Sequence, residues 1–322
     1  MPTTVHFATN RVVNGPPEAL ASYTAEMISP TELEDATYGT AFVDNSNLTA
    51  DTVGAITSLQ DIRKGGFSQG AMDDLSDGGR NLLVFLHGFA NSFENAITRA
   101  AFNREWLASS NVAAADTSVV AFSWPSRGQV ITPPFPSFSY RHDQTSAGQS
   151  GLHVMTFFAN LLPILTAARA RGRRTFLLAH SMGNWALQAA IESWFAHGKG
   201  DAPLFDEALL AAADEVHNSF DFGPFGRLSA LSRLAQRISV YYSHADMVLA
   251  LSLALNGSRR LGQDGPDDRS NATHFPPAIY RMVDCTGFRD YSIDFQASHQ
   301  YYRRSPGVRA DLASTMEAGA NA

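Results

Sequence analysis

Eight short apolar runs, each bounded by turn-forming residues, constrain this chain more than any other feature. They lie at residues 5–8, 38–43, 82–86, 119–122, 175–179, 208–212, 238–242 and 280–283, and Leu82-Leu83-Val84-Phe85-Leu86 is the strongest. Runs this short suit strands, and being apolar throughout they suit strands buried on both faces. Helical patterns separate the later runs, at about 91–109, 146–169, 185–195, 228–235, 248–255 and 308–318. Asn91 is the expected cap of the first. The second carries Leu152, Met155, Ala159, Leu162 and Thr166 at helical spacing, with a kink expected at Pro163. The alternation predicts an α/β fold: a mostly parallel sheet of about eight strands with helices on both faces. The first two strands have no helix between them and are expected to pair antiparallel at one edge. Residues 65–79, 125–139 and 256–277 read as surface loops. None has the character of an interdomain linker, so a single domain over residues 1–322 is expected.

Composition removes several classes of function. With 44% hydrophobic and 17% charged residues among 322, the chain can bury a large core and is not globally disordered. Against 31 acidic residues stand 24 basic ones, a net charge of −7 that argues against a nucleic-acid partner. The lone Cys285 can form neither an internal disulfide nor a cysteine-rich zinc site. No run approaches the roughly 18–20 continuous apolar residues of a membrane span. The start, Met1-Pro2-Thr3-Thr4-Val5-His6, lacks signal-peptide character. A soluble protein of a reducing, cytoplasmic compartment, without a membrane partner, is the expectation. The acidic stretch at 264–268 lacks the ligand spacing of a calcium loop. No His-Glu-x-x-His pattern or phosphate-binding Gly-x-x-x-x-Gly-Lys loop is present, and no metal is expected.

The chemistry centres on Leu177-Leu178-Ala179-His180-Ser181-Met182-Gly183-Asn184. A serine ends a buried strand and precedes a helix, with small residues two positions away on each side, Ala179 and Gly183. This is the sequence form of a nucleophile elbow, whose turn is so tight that larger flanking side chains would clash. The competing reading is a plain helix cap. A nucleophilic hydroxyl needs a base, and the base an orienting acid; the elbow resembles that of α/β-hydrolases, in which they follow in the chain order Ser, Asp or Glu, His. Asp246, in Ser243-His244-Ala245-Asp246 after the run 238–242, is the preferred acid; Asp214 is its competitor and a possible helix cap. His299, in the segment after the last strand, is the preferred base over His274. His244 reads as a structural or pocket-lining residue. The oxyanion needs backbone donors, assigned to the N–H groups of Met182, after the serine, and Phe89, in Leu86-His87-Gly88-Phe89-Ala90-Asn91. Gly88 permits the unusual turn that would aim the second of these.

Taken together, five blocks resemble the α/β-hydrolase superfamily, and within it a bacterial branch of formerly uncharacterised hydrolases. The blocks are Phe7-Ala8-Thr9-Asn10-Arg11, Phe85-Leu86-His87-Gly88-Phe89, Phe122-Ser123-Trp124-Pro125-Ser126, Ala179-His180-Ser181-Met182-Gly183-Asn184 and Tyr242-Ser243-His244-Ala245-Asp246. The resemblance spans about residues 5–305 and implies Ser181 as nucleophile, His299 as base, Asp246 as acid and the Phe89 and Met182 amides as oxyanion donors. It implies hydrolysis of small-molecule carboxylic esters through an acyl-enzyme, with no cofactor. An acyltransferase, an amidase or a catalytically silent binding protein on the same fold are the alternatives.

The short segment 213–237 leaves little room for a large lid. The proline-rich stretch 124–140 is the candidate pocket wall, through Trp124, Phe135, Phe138 and Tyr140, with the segment 220–225 as a further apolar edge. Gly88 completes the candidate substrate-binding set. Such an open, aromatic-rimmed site would favour small or aryl esters.

Overall fold

All eight apolar runs form strands. The computed structural model describes residues 2–52, 54–77, 80–109, 117–129, 136–201, 203–221, 227–288 and 298–318. Its strands are β1 (Thr3–Thr9), β2 (Arg11–Val13), β3 (Tyr23–Met27), β4 (Thr37–Asp44), β5 (Ala55–Lys64), β6 (Asn81–Leu86), β7 (Thr117–Ser123), β8 (Thr175–His180), β9 (Phe205–Ala211), β10 (Ala235–Tyr242) and β11 (Tyr280–Asp284). Nine of them make one sheet in the order β11-β10-β9-β8-β6-β7-β1-β4-β5, while β2 and β3 pair separately. From β11 to β1 every neighbour is parallel. β4 runs antiparallel to β1, and β5 antiparallel to β4. β1 is therefore interior, and the expected antiparallel edge lies one strand further out, at β5.

Helices α1 (Gln69–Asp77), α2 (Phe93–Ala108), α3 (Pro136–Gln149), α4 (Gly151–Ala170), α5 (Gly183–Ala196), α6 (Met247–Asn256), α7 (Leu261–Asp264), α8 (Tyr301–Arg304) and α9 (Pro306–Ala318) complete the fold. Alternate strand residues serve two cores. Val84, Leu86, Leu177, Ala179, Leu210 and Val240 pack with α1, α4 and α5 on one face. Leu83, Phe85, Phe176, Leu178, Leu209 and Tyr241 pack with α2 and α9 on the other. Burial on both faces is why these strands are apolar at every position.

The departures have local causes. β5 escapes an apolar-run criterion because Leu59 is its one buried residue, as suits an edge strand facing water. The segment 65–79 holds α1, started where the Ser68 hydroxyl accepts the Ala71 N–H at 3.1 Å. α2 is capped by Ser92, whose side chain accepts from the Asn95 N–H, not by Asn91. The helical stretch 146–169 breaks at Ser150 into α3 and α4, and Pro163 lies inside α4 without ending it. The expected helix at 228–235 is a 3₁₀ turn, Arg227–Arg233. α4 is long and apolar enough to cross a membrane, although His153, Thr156, Asn160 and Thr166 interrupt its apolar runs. Here ten of its residues are buried.

Candidate active site

Parallel pairing aligns the carboxyl ends of the strands along one rim. Leu86 lies beside Ala179, His180 beside Ala211, Ala211 beside Tyr241 and Tyr242 beside Asp284. Ser181 leaves β8 at that rim with φ of +52°, in the left-handed region that non-glycine residues avoid. Its N–H donates to the Ala211 carbonyl at 2.9 Å, and its own carbonyl accepts the Asp214 N–H at 3.1 Å. Asn184 donates its side-chain amide to the carbonyls of Ala179 and Ser181, tying the turn from within. Gly183 has to be glycine: a Cβ there would stand 2.5 Å from the Leu86 carbonyl oxygen and 2.6 Å from that of His87.

Asp246 caps α6, accepting the Leu249 N–H on Oδ1 at 2.9 Å, and turns Oδ2 to His299 Nδ1 at 2.7 Å. The opposite ring nitrogen, Nε2, lies 3.1 Å from Ser181 Oγ. A carboxylate only accepts, so the Nδ1 proton faces Asp246 and Nε2 is left to accept the serine hydroxyl. All three side chains are enclosed, with exposures of 2% for Ser181, 4% for His299 and 0% for Asp246. Burial raises the Asp246 carboxyl above its ordinary range, opposed by the charge and hydrogen bond of His299. The segment carrying His299 is pinned by Tyr301, whose hydroxyl donates to the Tyr241 carbonyl at 2.8 Å and accepts the Ala212 N–H at 2.9 Å. Sequence reading gave Tyr301 no role. His180 lies beside the base, ring centres 5.0 Å apart and the planes tilted by 49°, and burial keeps it neutral by lowering its pKa well below the usual value.

Past the end of β6, Gly88 lets the backbone approach the elbow: a Cβ would stand 2.9 Å from Ser181 Cβ. Asn91 clasps the loop, its side-chain amide donating to the carbonyls of Gly88 and Phe89, each at 2.9 Å. Among the described residues, no acceptor engages the N–H of Phe89 or Met182. Strain concentrates here. Of the five described non-glycine residues with positive φ, Ala90, Ser181, Ala212 and Ser298 all adjoin this rim, as strained backbone at functional sites commonly does.

Tyr140 packs beside the Phe89 ring, centres 5.9 Å apart, and the remaining expected residues lie elsewhere. Trp124 is fully buried, stacked on His87 and donating its indole N–H to the His87 carbonyl at 2.8 Å, so it supports the loop from behind and lines no open pocket. Tyr140 is turned inward, its hydroxyl 2.7 Å from Asp214 Oδ2 and 2.9 Å from Ser252 Oγ. Phe138 stands 73% exposed on α3. Phe135 lies outside the described residues, as does most of the stretch 220–225; Phe220 packs against Phe275 and Tyr280. Asp214 caps no helix: it forms a buried ion pair with Arg260 at 3.0 Å. His274 and His244 are exposed and face Asp268 and Asp264, each at 3.3 Å. Burial pushes the Cys285 thiol up to about 12, which disfavours the thiolate a nucleophile needs. Among the described residues, no cluster of metal-ligating side chains occurs.

A family profile described as "Alpha/beta hydrolase of unknown function (DUF900)" matches residues 68–315. The chain belongs to this α/β-hydrolase family. No curated protein and no solved structure matches it. The family match spans Ser181, Asp246 and His299, whereas the Phe7–Arg11 block lies outside it.

Proposed function

We propose that the protein is a serine hydrolase that cleaves carboxylic esters through an acyl-enzyme. One observation carries the reading: an unbroken chain of contacts from Ser181 Oγ to His299 Nε2 and from His299 Nδ1 to Asp246 Oδ2, at 3.1 and 2.7 Å. The serine hydroxyl attacks the ester carbonyl as Nε2 takes its proton. Asp246 holds the imidazole in the tautomer that can accept and stabilises the imidazolium. The Phe89 and Met182 amides receive the negative charge of the tetrahedral oxygen, each worth about 3 kcal/mol of barrier. His299 returns the proton to the leaving alcohol, and the cycle repeats with water to release the acid. The free amides and the strained serine backbone support the same reading, because both are costs that a purely structural turn has no use for.

Hydrolysis of short nitrophenyl esters tests it. The wild type should turn over and Ser181→Ala should not. Hydrolysis that survives the substitution would reject Ser181 as nucleophile. A folded wild type inert toward a broad ester panel would favour a silent binding protein, and product transfer to added alcohol in preference to water would favour an acyltransferase.

A further inference from the structure

We infer that Arg11, Ser126 and Asp143 are positioning residues for the oxyanion donor on Phe89, which rests on the reading of Ser181 as an ester-cleaving nucleophile. Arg11 is almost wholly buried, and every donor on its guanidinium is used. Nε donates to Ser123 Oγ at 3.0 Å, Nη1 to the carbonyls of Thr24 and Ser126, each at 3.0 Å, and Nη2 to those of Asn91 and Trp124 at 2.9 and 2.7 Å. One side chain thus ties the chain after β1 to the loops that follow β6 and β7.

Asp143 supplies the counter-charge from α3 and is wholly buried. Its Oδ2 accepts the Ser126 hydroxyl at 2.5 Å and the Ala90 N–H at 3.3 Å, and its Oδ1 accepts the Arg127 N–H at 3.1 Å. Ser126 Oγ in turn accepts the Asn91 N–H at 3.0 Å. The two amides that follow Phe89 are therefore both drawn to this cluster. Ala90 is held with φ of +58°, a conformation that alanine keeps only under constraint. The loop's carbonyls are held as well, by Asn91 and Arg11. Among the described residues, no acceptor engages the Phe89 N–H, next to Gly88 and its close approach to Ser181.

Two buried charges are costly to assemble and are weak evidence of stability by themselves. Their placement is informative: Arg11 holds the Asn91 carbonyl and Asp143 the Ala90 N–H of the same turn, and Ser126 bridges the two side chains. A pre-aimed donor is effective because it needs no reorganisation when charge develops, and an error of about 1 Å in its position costs roughly 100-fold.

Ser126→Ala and Asp143→Asn test the inference with a phenyl ester and its thiono analogue, in which sulfur replaces the carbonyl oxygen and accepts hydrogen bonds poorly. Each variant should keep KM within about twofold, lose roughly 10- to 100-fold in kcat, and prefer the oxygen ester over the thiono ester less than the wild type does. A loss in kcat with that preference unchanged, a loss confined to KM, or no loss at all would overturn it. Should the variants fail to fold, amide exchange in the wild type decides. A phosphonate on Ser181 should slow exchange at Phe89 and leave Ala90 and Asn91 as they were, and unchanged exchange at Phe89 would overturn the inference. A wild type that neither hydrolyses the ester nor takes the phosphonate would instead refute the reading of Ser181.

Discussion

Asp246 does two jobs with two oxygens, since Oδ1 caps α6 and Oδ2 faces His299. Asp246→Asn can keep the cap through its remaining carbonyl oxygen while presenting the wrong partner to the imidazole. The expected result is a loss of roughly 10³- to 10⁴-fold in kcat with little change in melting temperature. Asp246→Ala should add a loss of stability of about 1 kcal/mol as the cap goes. Steady-state kinetics beside thermal melts separate the two, and equal activity of Asp246→Asn and wild type would remove Asp246 as the acid. At this scale the sequence is informative about backbone-bound chemistry. Ser181 is legible because the elbow needs small neighbours, and Asp246 and His299 because each follows a strand whose end reaches the same rim. Trp124 and Tyr140 mislead because an aromatic ring in a proline-rich stretch carries no mark of which way it points. Arg11 stands in the first of the five blocks, but its role, and Asp143 altogether, pass unseen because both depend on three loops converging around Ser126.

The elbow as an element is a contact between β8, α5 and the end of β6. Alanine ordinarily stabilises a helix relative to glycine by about 1 kcal/mol. Gly183→Ala should do the opposite, because its Cβ would stand 2.5 Å from the backbone carbonyl oxygen of Leu86, and forcing backbone apart costs about 1–3 kcal/mol. A lower melting temperature and a displaced Ser181, seen as lost hydrolysis, are expected; an unchanged melt would contradict the close approach. Strands buried on both faces were readable from apolar runs, whereas β5 was hidden by its polar, water-facing pattern and α1 by the glycines at 65, 66, 70, 78 and 79.

For the whole molecule, the buried imidazoles couple folding to pH. His87 is fully enclosed between β6 and Trp124, and burial together with the nearby charge of Arg11 pushes its pKa from 6.5 down to about 3. Between those values the unfolded chain binds a proton there that the fold refuses. Its contribution to stability is therefore complete above about pH 6.5 and declines as the pH falls toward 3. At pH 5 the loss from this group is about 2 kcal/mol. Urea unfolding at pH 7 and pH 5 should show His87→Gln losing less stability than the wild type by about that amount. Equal losses would mean that His87 is free to charge in the fold.

The central claim is that Ser181 is a nucleophile primed by His299. Peptide mapping after reaction with a fluorophosphonate tests it most directly. The label should sit on Ser181 in the wild type and be lost in His299→Ala, with the fold intact by circular dichroism. Label on a different residue, or none on a folded wild type under conditions that mark known serine hydrolases, would contradict it.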